Sequence, residues 1–156
     1  MTDAADRVLL VKPYRDHWTI PGGVVGHNEP PDRAWEAREE LSLALPSERP
    51  LVMSWLAAHD PIPHPMIGFI FDGGHINDPA SIHIDADELE DFAFFPLPEA
   101  TRRLHHAAAY TLPIAAQARA TGVPRYLSYM AAPGPVLKAA DTASFGQGCS
   151  GYGPIS

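Results

Sequence analysis

The sequence predicts an α/β fold, in which helices pack in layers against a sheet. Short apolar runs rich in branched or aromatic residues, which favour strands, alternate along the chain with longer segments that favour helices. Clusters of Pro and Gly separate these segments. With 156 residues, of which 46% are apolar, the chain is long enough for one domain with a hydrophobic core.

The predicted strands are short and closed by breaker residues. The first is a branched apolar run that stops before Pro13, and the third is bounded by Pro65 and by Asp72-Gly73-Gly74. Residues 18–20 follow the first strand and stop at Pro21-Gly22-Gly23. The four predicted strands are residues 8–11, 51–57, 66–71 and 92–95.

Three helices are predicted, over residues 30–43, 98–106 and 110–121. Proline is tolerated in the first turn of the first helix, and Gly122 ends the last one. From about Ala131 onward Gly, Pro, Ala and Ser dominate and the apolar periodicity is lost. We therefore expect a domain over residues 1–130 and a disordered tail over residues 131–156.

Composition and net charge argue against several classes of function and location. The formal net charge of −8 argues against a uniformly basic surface for a nucleic acid polymer. The single cysteine excludes an internal disulfide, and no apolar run reaches the roughly 18 residues of a membrane helix. The acidic first six residues lack the pattern of a signal peptide, so we expect a cytoplasmic protein. An acidic protein that handles phosphates usually needs a bridging cation.

The helix over residues 30–43 carries a carboxylate face. At about 100° per residue, Glu36, Glu39 and Glu40 fall within one arc of about 100°. Three carboxylates on one face repel each other, which destabilises the helix. The cluster becomes favourable if it binds a hard cation such as Mg²⁺. A solvated acidic helix face is the simpler alternative. The roughly opposite arc, which can face the core, contains Ala34, Ala37 and Leu41.

This segment resembles the signature of the Nudix hydrolases, the MutT-like family. Gly23 and Glu29 stand at the signature's five-residue gap, and Glu36 lies three residues before Glu39 as in the family. The closing segment Glu39-Glu40-Leu41-Ser42-Leu43 and the lead-in Trp18-Thr19-Ile20-Pro21-Gly22-Gly23 are also similar. The resemblance extends to about Tyr126. It implies an α/β/α sandwich around a mixed sheet and metal-dependent hydrolysis of a diphosphate linkage.

The resemblance also implies the roles of individual residues. Gly23, Glu36, Glu39 and Glu40 would hold Mg²⁺, with Mn²⁺ as the alternative ion, and Glu36 or Glu39 would take part in catalysis. Gly22 and Glu29 belong to the structural part of the motif. The implied substrate is a small molecule linked to a nucleoside diphosphate, without a nucleic acid polymer or a membrane as partner. Many relatives are dimers, so a homodimer is compatible with the resemblance.

Two further groups are candidates. Arg15 and Trp18 precede the motif, where they could clamp or stack on a substrate base or sugar. Structural packing of Trp18 is an equal alternative. Glu88, Glu90 and Asp91 lie where the family often supplies another ligand or base, and a solvated acidic loop is the alternative reading.

The motif departs from the family pattern in its spacing. Between Glu29 and the Trp35-Glu36 pair the gap is two residues too short, and Trp35 occupies the place of the family's Arg. Reading Arg38-Glu39 as the Arg-Glu pair would place Ser42 and Leu43 in two ligand positions. A two-residue deletion keeps three carboxylates and is preferred. It also leaves open a catalytically impaired nucleotide-binding module, or a decayed copy, as the alternative function.

The start of the chain is short compared with relatives, which place a full strand before the turn at Asp3-Ala4-Ala5-Asp6. We therefore expect the first strand to be missing, which leaves either an exposed sheet edge or a mispredicted start codon. An exposed edge invites pairing with another chain.

Overall fold

A computed structural model of the chain describes residues 1–14, 17–31, 41, 43, 49–58 and 63–129. Within these ranges it contains seven strands and two α-helices, with a 3₁₀ turn at Pro79–Ser81. The elements are β1 (Thr2–Asp3), β2 (Val8–Pro13), β3 (Pro50–Leu56), β4 (Met66–Phe71), β5 (His75–Ile76), β6 (Leu89–Phe95), α1 (Leu97–Arg103), α2 (His106–Thr121) and β7 (Arg125–Tyr129).

The strands form two sheets, and both sheets are mixed. In the first, the order is β5-β1-β2-β6, with β1 parallel to β5 and antiparallel to β2. In the second, the order is β4-β3-β7, with β3 antiparallel to β4 and parallel to β7. Helix α2 packs against β3 and against α1. The predicted α/β class is therefore confirmed.

Most predicted strands are confirmed, because each is a short apolar run between breakers. Strand β4 has the predicted bounds, and β2, β3 and β6 contain or closely match the predicted segments. The first strand, expected to be missing, is reduced to the two residues of β1. Strand β7 was not predicted, because its pairing with β3 joins residues far apart in sequence.

The facing ends of two helices differ from the predictions. The helix predicted over residues 98–106 ends at Arg103, and the helix predicted over residues 110–121 begins at His106. Leu104 adopts an extended backbone, with φ −87° and ψ 154°, and pairs with Trp18 in an isolated bridge. The two helices were predicted as separate, and this long-range contact lies at the boundary whose position was predicted wrongly. The predicted helix over residues 30–43 lies almost wholly outside the described residues, and the tail over residues 131–156 lies entirely outside them.

Strand β2 is buried on both faces and forms the centre of the molecule. Leu9 and Val11 pack into one apolar cluster, whereas Leu10 and Val8 point to the other face. There they meet α1 and the start of α2 through Ala100, Leu104 and Leu112. None of the helices in the described ranges has the length and apolar character needed to cross a membrane.

A polar network joins β1, the turn after β4, and α2. The Asp72 carboxylate accepts hydrogen bonds from Arg49 at 3.0 Å and from the Gly74 N–H at 3.0 Å, and forms an ion pair with Arg119 at 3.2 Å. Arg119 also donates to the Thr2 hydroxyl at 2.7 Å. Burial by itself raises the pKa of Asp72, but these hydrogen bonds and the two guanidinium charges together hold it below 3.8.

The Asp72 network predicts an acid-sensitive fold. Since the pKa of Asp72 is lowered in the folded state, the unfolded chain binds more protons below about pH 4, and stability is lost as the pH falls through the folded pKa. Asp72→Asn is expected to lower the melting temperature at pH 7 by about 3–6 °C, as expected for loss of about 1–2 kcal/mol. Thermal melts of both proteins between about pH 2.5 and 7 measure this, and the variant should lose less on acidification. Parallel curves would contradict the role of Asp72.

Candidate active site

A glycine turn lies at the entrance of the candidate site. The Pro21 side chain is buried, whereas Gly22 and the following residues are exposed. Gly22 has a φ of 149°, in the region that glycine adopts without strain. This turn presents the Gly23 backbone to solvent, where it can approach a metal or a phosphate closely.

Glu29 closes the next turn of the same segment. Its carboxylate accepts a hydrogen bond from the Gly26 N–H at 2.9 Å, and its own N–H donates to the Gly26 carbonyl at 3.3 Å. Asn28, between them, has a φ of 62°, which Asn tolerates better than most residues. The contacts of Glu29 are therefore those of a residue that shapes the loop.

The end of the glutamate-rich segment is anchored in the core. Leu41 is 0% exposed and packs with Leu9 and Val11 of β2, and Leu43 is also buried. The Leu41 carbonyl accepts a hydrogen bond from the His83 N–H at 3.2 Å. The burial of Leu41 agrees with the expectation that its arc of the helix faces the core. It also fixes the chain directly after Glu39 and Glu40.

A cleft of about 630 Å³ opens beside the glycine turn. It is lined by residues 20–25, by the residues of β4, and by Ser54, Thr111 and Tyr129 among others. Among the described residues that line it, no side chain is charged. The exposed apolar residues Val24, Val25, Met66, Ile67 and Phe69 all border this cleft.

A buried hydrogen bond joins two residues that line the cleft, Thr111 and Tyr129. The hydroxyls of Thr111 and Tyr129 lie 2.6 Å apart, and the Thr111 hydroxyl also lies 2.7 Å from the Ala107 carbonyl, which accepts its proton. Burial raises the pKa of Tyr129, partly offset by the Thr111 hydrogen bond, and the nearby Tyr110 raises it further. Tyr129 therefore stays neutral and joins α2 to β7.

No protein-family model and no curated protein sequence matches the chain. The structure is similar to a MutT protein from Methanosarcina mazei Go1, with a TM-score of 0.59 and 16% identity over 78% of this chain and 88% of that chain. It is similar to a MutT protein from Bacillus halodurans, with a TM-score of 0.57 and 19% identity over 87% and 88% of the two chains. The MutT Nudix hydrolase from Burkholderia pseudomallei gives a TM-score of 0.51 and 24% identity, over 69% and 86%.

The chain has a MutT/Nudix-like fold. The fold that the motif resemblance implied is thereby confirmed. Within this Nudix-like fold, Gly22, Gly23 and Glu29 occupy the exposed segment described above. Arg15, Glu36, Glu39 and Glu40 lie outside the described residues, as does Trp35 at the shortened part of the motif.

The remaining candidates have structural contacts. Trp18 is half-buried and packs edge-on against Phe95, with ring centroids 5.1 Å apart, and it does not line the cleft. Glu90 forms an ion pair with Lys12 at 3.0 Å. The described part of the chain contains no group of three or more His, Cys, Asp or Glu side chains placed to hold a metal.

Sequence reasoning missed that β4 lines the same cleft as the glycine turn. Strand β4 was predicted, but not this position in the fold. The sequence contains one signal, because Gly68 in the middle of an apolar strand indicates close approach of another group. In the fold, a Cβ at Gly68 would lie 2.9 Å from the Ser54 hydroxyl, on the neighbouring strand.

Proposed function

We propose that the chain is a Mg²⁺-dependent pyrophosphohydrolase of the Nudix type, acting in the cytoplasm on a small molecule linked to a nucleoside diphosphate. The observation that carries the proposal is the Nudix-like fold, combined with a sequence segment that resembles the Nudix signature. The glycine turn is exposed at the mouth of a cleft, and Leu41, next to Glu40, is fully buried. A solvated acidic helix face would also bury Leu41, so the exposed glycine turn beside the cleft is the feature that favours a site.

The donor set suits Mg²⁺. Glu36, Glu39, Glu40 and the Gly23 carbonyl supply only oxygen ligands, which hard divalent cations prefer, and Mn²⁺ accepts the same set. When bound, such an ion polarises the phosphate and lowers the pKa of a coordinated water. The exposed backbone of the glycine turn can be approached by a phosphate.

The proposed reaction is hydrolysis of the diphosphate linkage by one water molecule. A water oxygen attacks one phosphorus of the diphosphate, Glu36 or Glu39 accepts a proton from that water, and the bridging P–O bond breaks. The leaving phosphate keeps the electron pair of that bond. Arg15 and Trp18, before the glycine turn, are the proposed contacts for the base or sugar of the substrate.

The test is a panel of nucleotide derivatives in which release of phosphate or of nucleoside monophosphate is measured. The panel includes nucleoside triphosphates, nucleotide sugars and dinucleotides, each with about 5 mM Mg²⁺, with Mn²⁺, and with EDTA. Turnover that EDTA abolishes is the expected result, and the best substrate would identify the leaving group. A folded sample that binds nucleotide without turnover would instead support the impaired binding module.

The shortened motif allows a second test. Two residues of helix correspond to about 3 Å of rise and about 200° of rotation, and misplacements of about 1 Å reduce catalysis. Inserting two residues before Glu36, with Arg in the place of Trp35, restores the family spacing. If turnover appears only in that variant, the native motif is inactive and the proposed activity is lost in this chain.

A further inference from the structure

The cleft beside the glycine turn is lined mainly by apolar side chains. None of the described lining residues has a charged side chain, although the whole chain has a net charge of −8. Several of the apolar lining residues are exposed to solvent, namely Val24 by 88%, Ile67 by 64%, Met66 by 43% and Phe69 by 37%. Removing such apolar surface from water by covering it with a ligand is favourable.

The polar side chains of the described lining are three hydroxyls, and each already has a partner inside the protein. The Thr111 hydroxyl donates its proton to the Ala107 carbonyl at 2.7 Å. Because that proton is used, Tyr129 is the donor in the 2.6 Å contact between the Tyr129 and Thr111 hydroxyls. The Ser54 hydroxyl donates to the Gly68 carbonyl at 3.4 Å. All three hydroxyl protons therefore have acceptors without a ligand.

Such a lining suits an uncharged, apolar group. A charged group would leave water without meeting a counter-ion among the described lining residues. A sugar would bring several hydroxyls to side-chain donors that are already paired, and each polar atom left unpaired costs free energy. The volume of about 630 Å³ is in the range of pockets that hold small organic molecules.

The cleft is continuous with the glycine turn, where the diphosphate of the proposed substrate would bind. Residues 20–25, which include this turn, belong to the lining. The base or sugar of the nucleoside is proposed to contact Arg15 and Trp18, and Trp18 does not line the cleft. The cleft is therefore left for the second group of the substrate, which is joined to the other end of the diphosphate.

We infer that this second group is uncharged and apolar, so that the substrate is a nucleoside diphosphate esterified to an alkyl or aryl group. The inference rests on the proposed function, because it names the group that the diphosphate joins to the nucleoside. Nucleotide sugars and dinucleotides, whose second group is rich in hydroxyls or charged, should be poor substrates beside apolar esters.

The test compares two analogues that differ only at the far end of the second group. Both are esters of a nucleoside methylenediphosphonate, in which a CH₂ replaces the bridging oxygen and prevents hydrolysis. The ester is hexyl in one analogue and carboxypentyl in the other. The nucleoside is that of the best substrate, or adenosine if the panel gives no turnover. Isothermal titration calorimetry with about 5 mM Mg²⁺ measures both dissociation constants.

The hexyl analogue is expected to bind at least about tenfold more tightly than the carboxypentyl analogue, because the carboxylate would lose its water without gaining a partner. Equal binding of the two analogues, or no binding of the hexyl analogue, would overturn the inference.

A variant of the lining tests whether the second group lies in the cleft. Ile67→Lys adds a cation there, so the preference for hexyl over carboxypentyl should fall at least about fivefold. Val123→Lys is the matched control, because Val123 is an exposed apolar residue outside the cleft. It adds the same charge and should leave the ratio of the two dissociation constants unchanged. An unchanged ratio in Ile67→Lys would contradict binding in the cleft.

Failure of the inference and failure of the proposed function give different results. The analogues are not hydrolysed, so their binding reports on the cleft whether or not the motif is active. Turnover of the panel together with equal binding of the two analogues would support the proposed function and overturn the inference. Tighter binding of the hexyl analogue without any turnover would support the apolar subsite and contradict the proposed hydrolysis.

Discussion

Replacing both Glu39 and Glu40 with Gln is expected to lower kcat more than about 100-fold for the best substrate of the panel, with little change in stability. Even residues that only orient metal ligands contribute about 10- to 100-fold, so removal of two proposed ligands should exceed that range. The amide keeps the size of the side chain but removes the charge that binds Mg²⁺. Steady-state kinetics over a range of Mg²⁺ concentrations measure the loss.

A matched control is Glu99→Gln on α1. Glu99 is an exposed glutamate that pairs with Arg103 at 2.7 Å, outside the cleft. It should keep full activity, because exposed ion pairs contribute little to stability and this one is remote from the glycine turn. If the double variant is as active as the Glu99 control, the assignment of Glu39 and Glu40 as metal ligands is wrong.

Leu41→Ala is expected to lower the free energy of unfolding by about 2–5 kcal/mol. Leu41 is 0% exposed and fills the space between β2 and the segment around Ile82 and Leu89. The truncated side chain leaves a cavity that rigid strands can close only partly. Because this residue follows Glu40 directly, the variant also tests whether the end of the motif is held by the core. Urea denaturation followed by circular dichroism gives the value.

The comparison variant is Val24→Ala, at a residue that is 88% exposed beside the same cleft. Its unfolding free energy should lie within about 0.5 kcal/mol of the parent, as for most exposed positions. A loss below about 1 kcal/mol in Leu41→Ala would mean that Leu41 is not packed as the fold shows.

Most strands could be predicted from the sequence alone, because each is indicated by its own residues and by the breakers at its ends. Strands β2 and β4 consist mainly of short apolar runs next to Pro, Gly or Asp, and such runs can be recognised within a few residues. Strand β7 has no comparable signal. Its five residues become a strand by pairing with β3, which lies more than 60 residues earlier in the chain.

The candidate site, like the strands, was predicted only in part from the sequence. Helical periodicity places three glutamates on one face and Leu41 on the opposite one, and the fold confirms the burial of Leu41. The proposed metal ligation remains a prediction from the sequence. Nothing local predicts that β4 and the glycine turn would line the same cleft.

What the sequence by itself determined is the set of short-range choices, namely the apolar strands, the breakers between them and the carboxylate face. Only the tertiary structure decided which elements meet. The Arg119 guanidinium reaches Thr2 across 117 residues, and Trp18 pairs with Leu104 between the two helices, where the predicted boundaries were displaced. The physical reason is that backbone preference acts over a few residues, whereas the fold is selected by burying apolar faces of distant segments together.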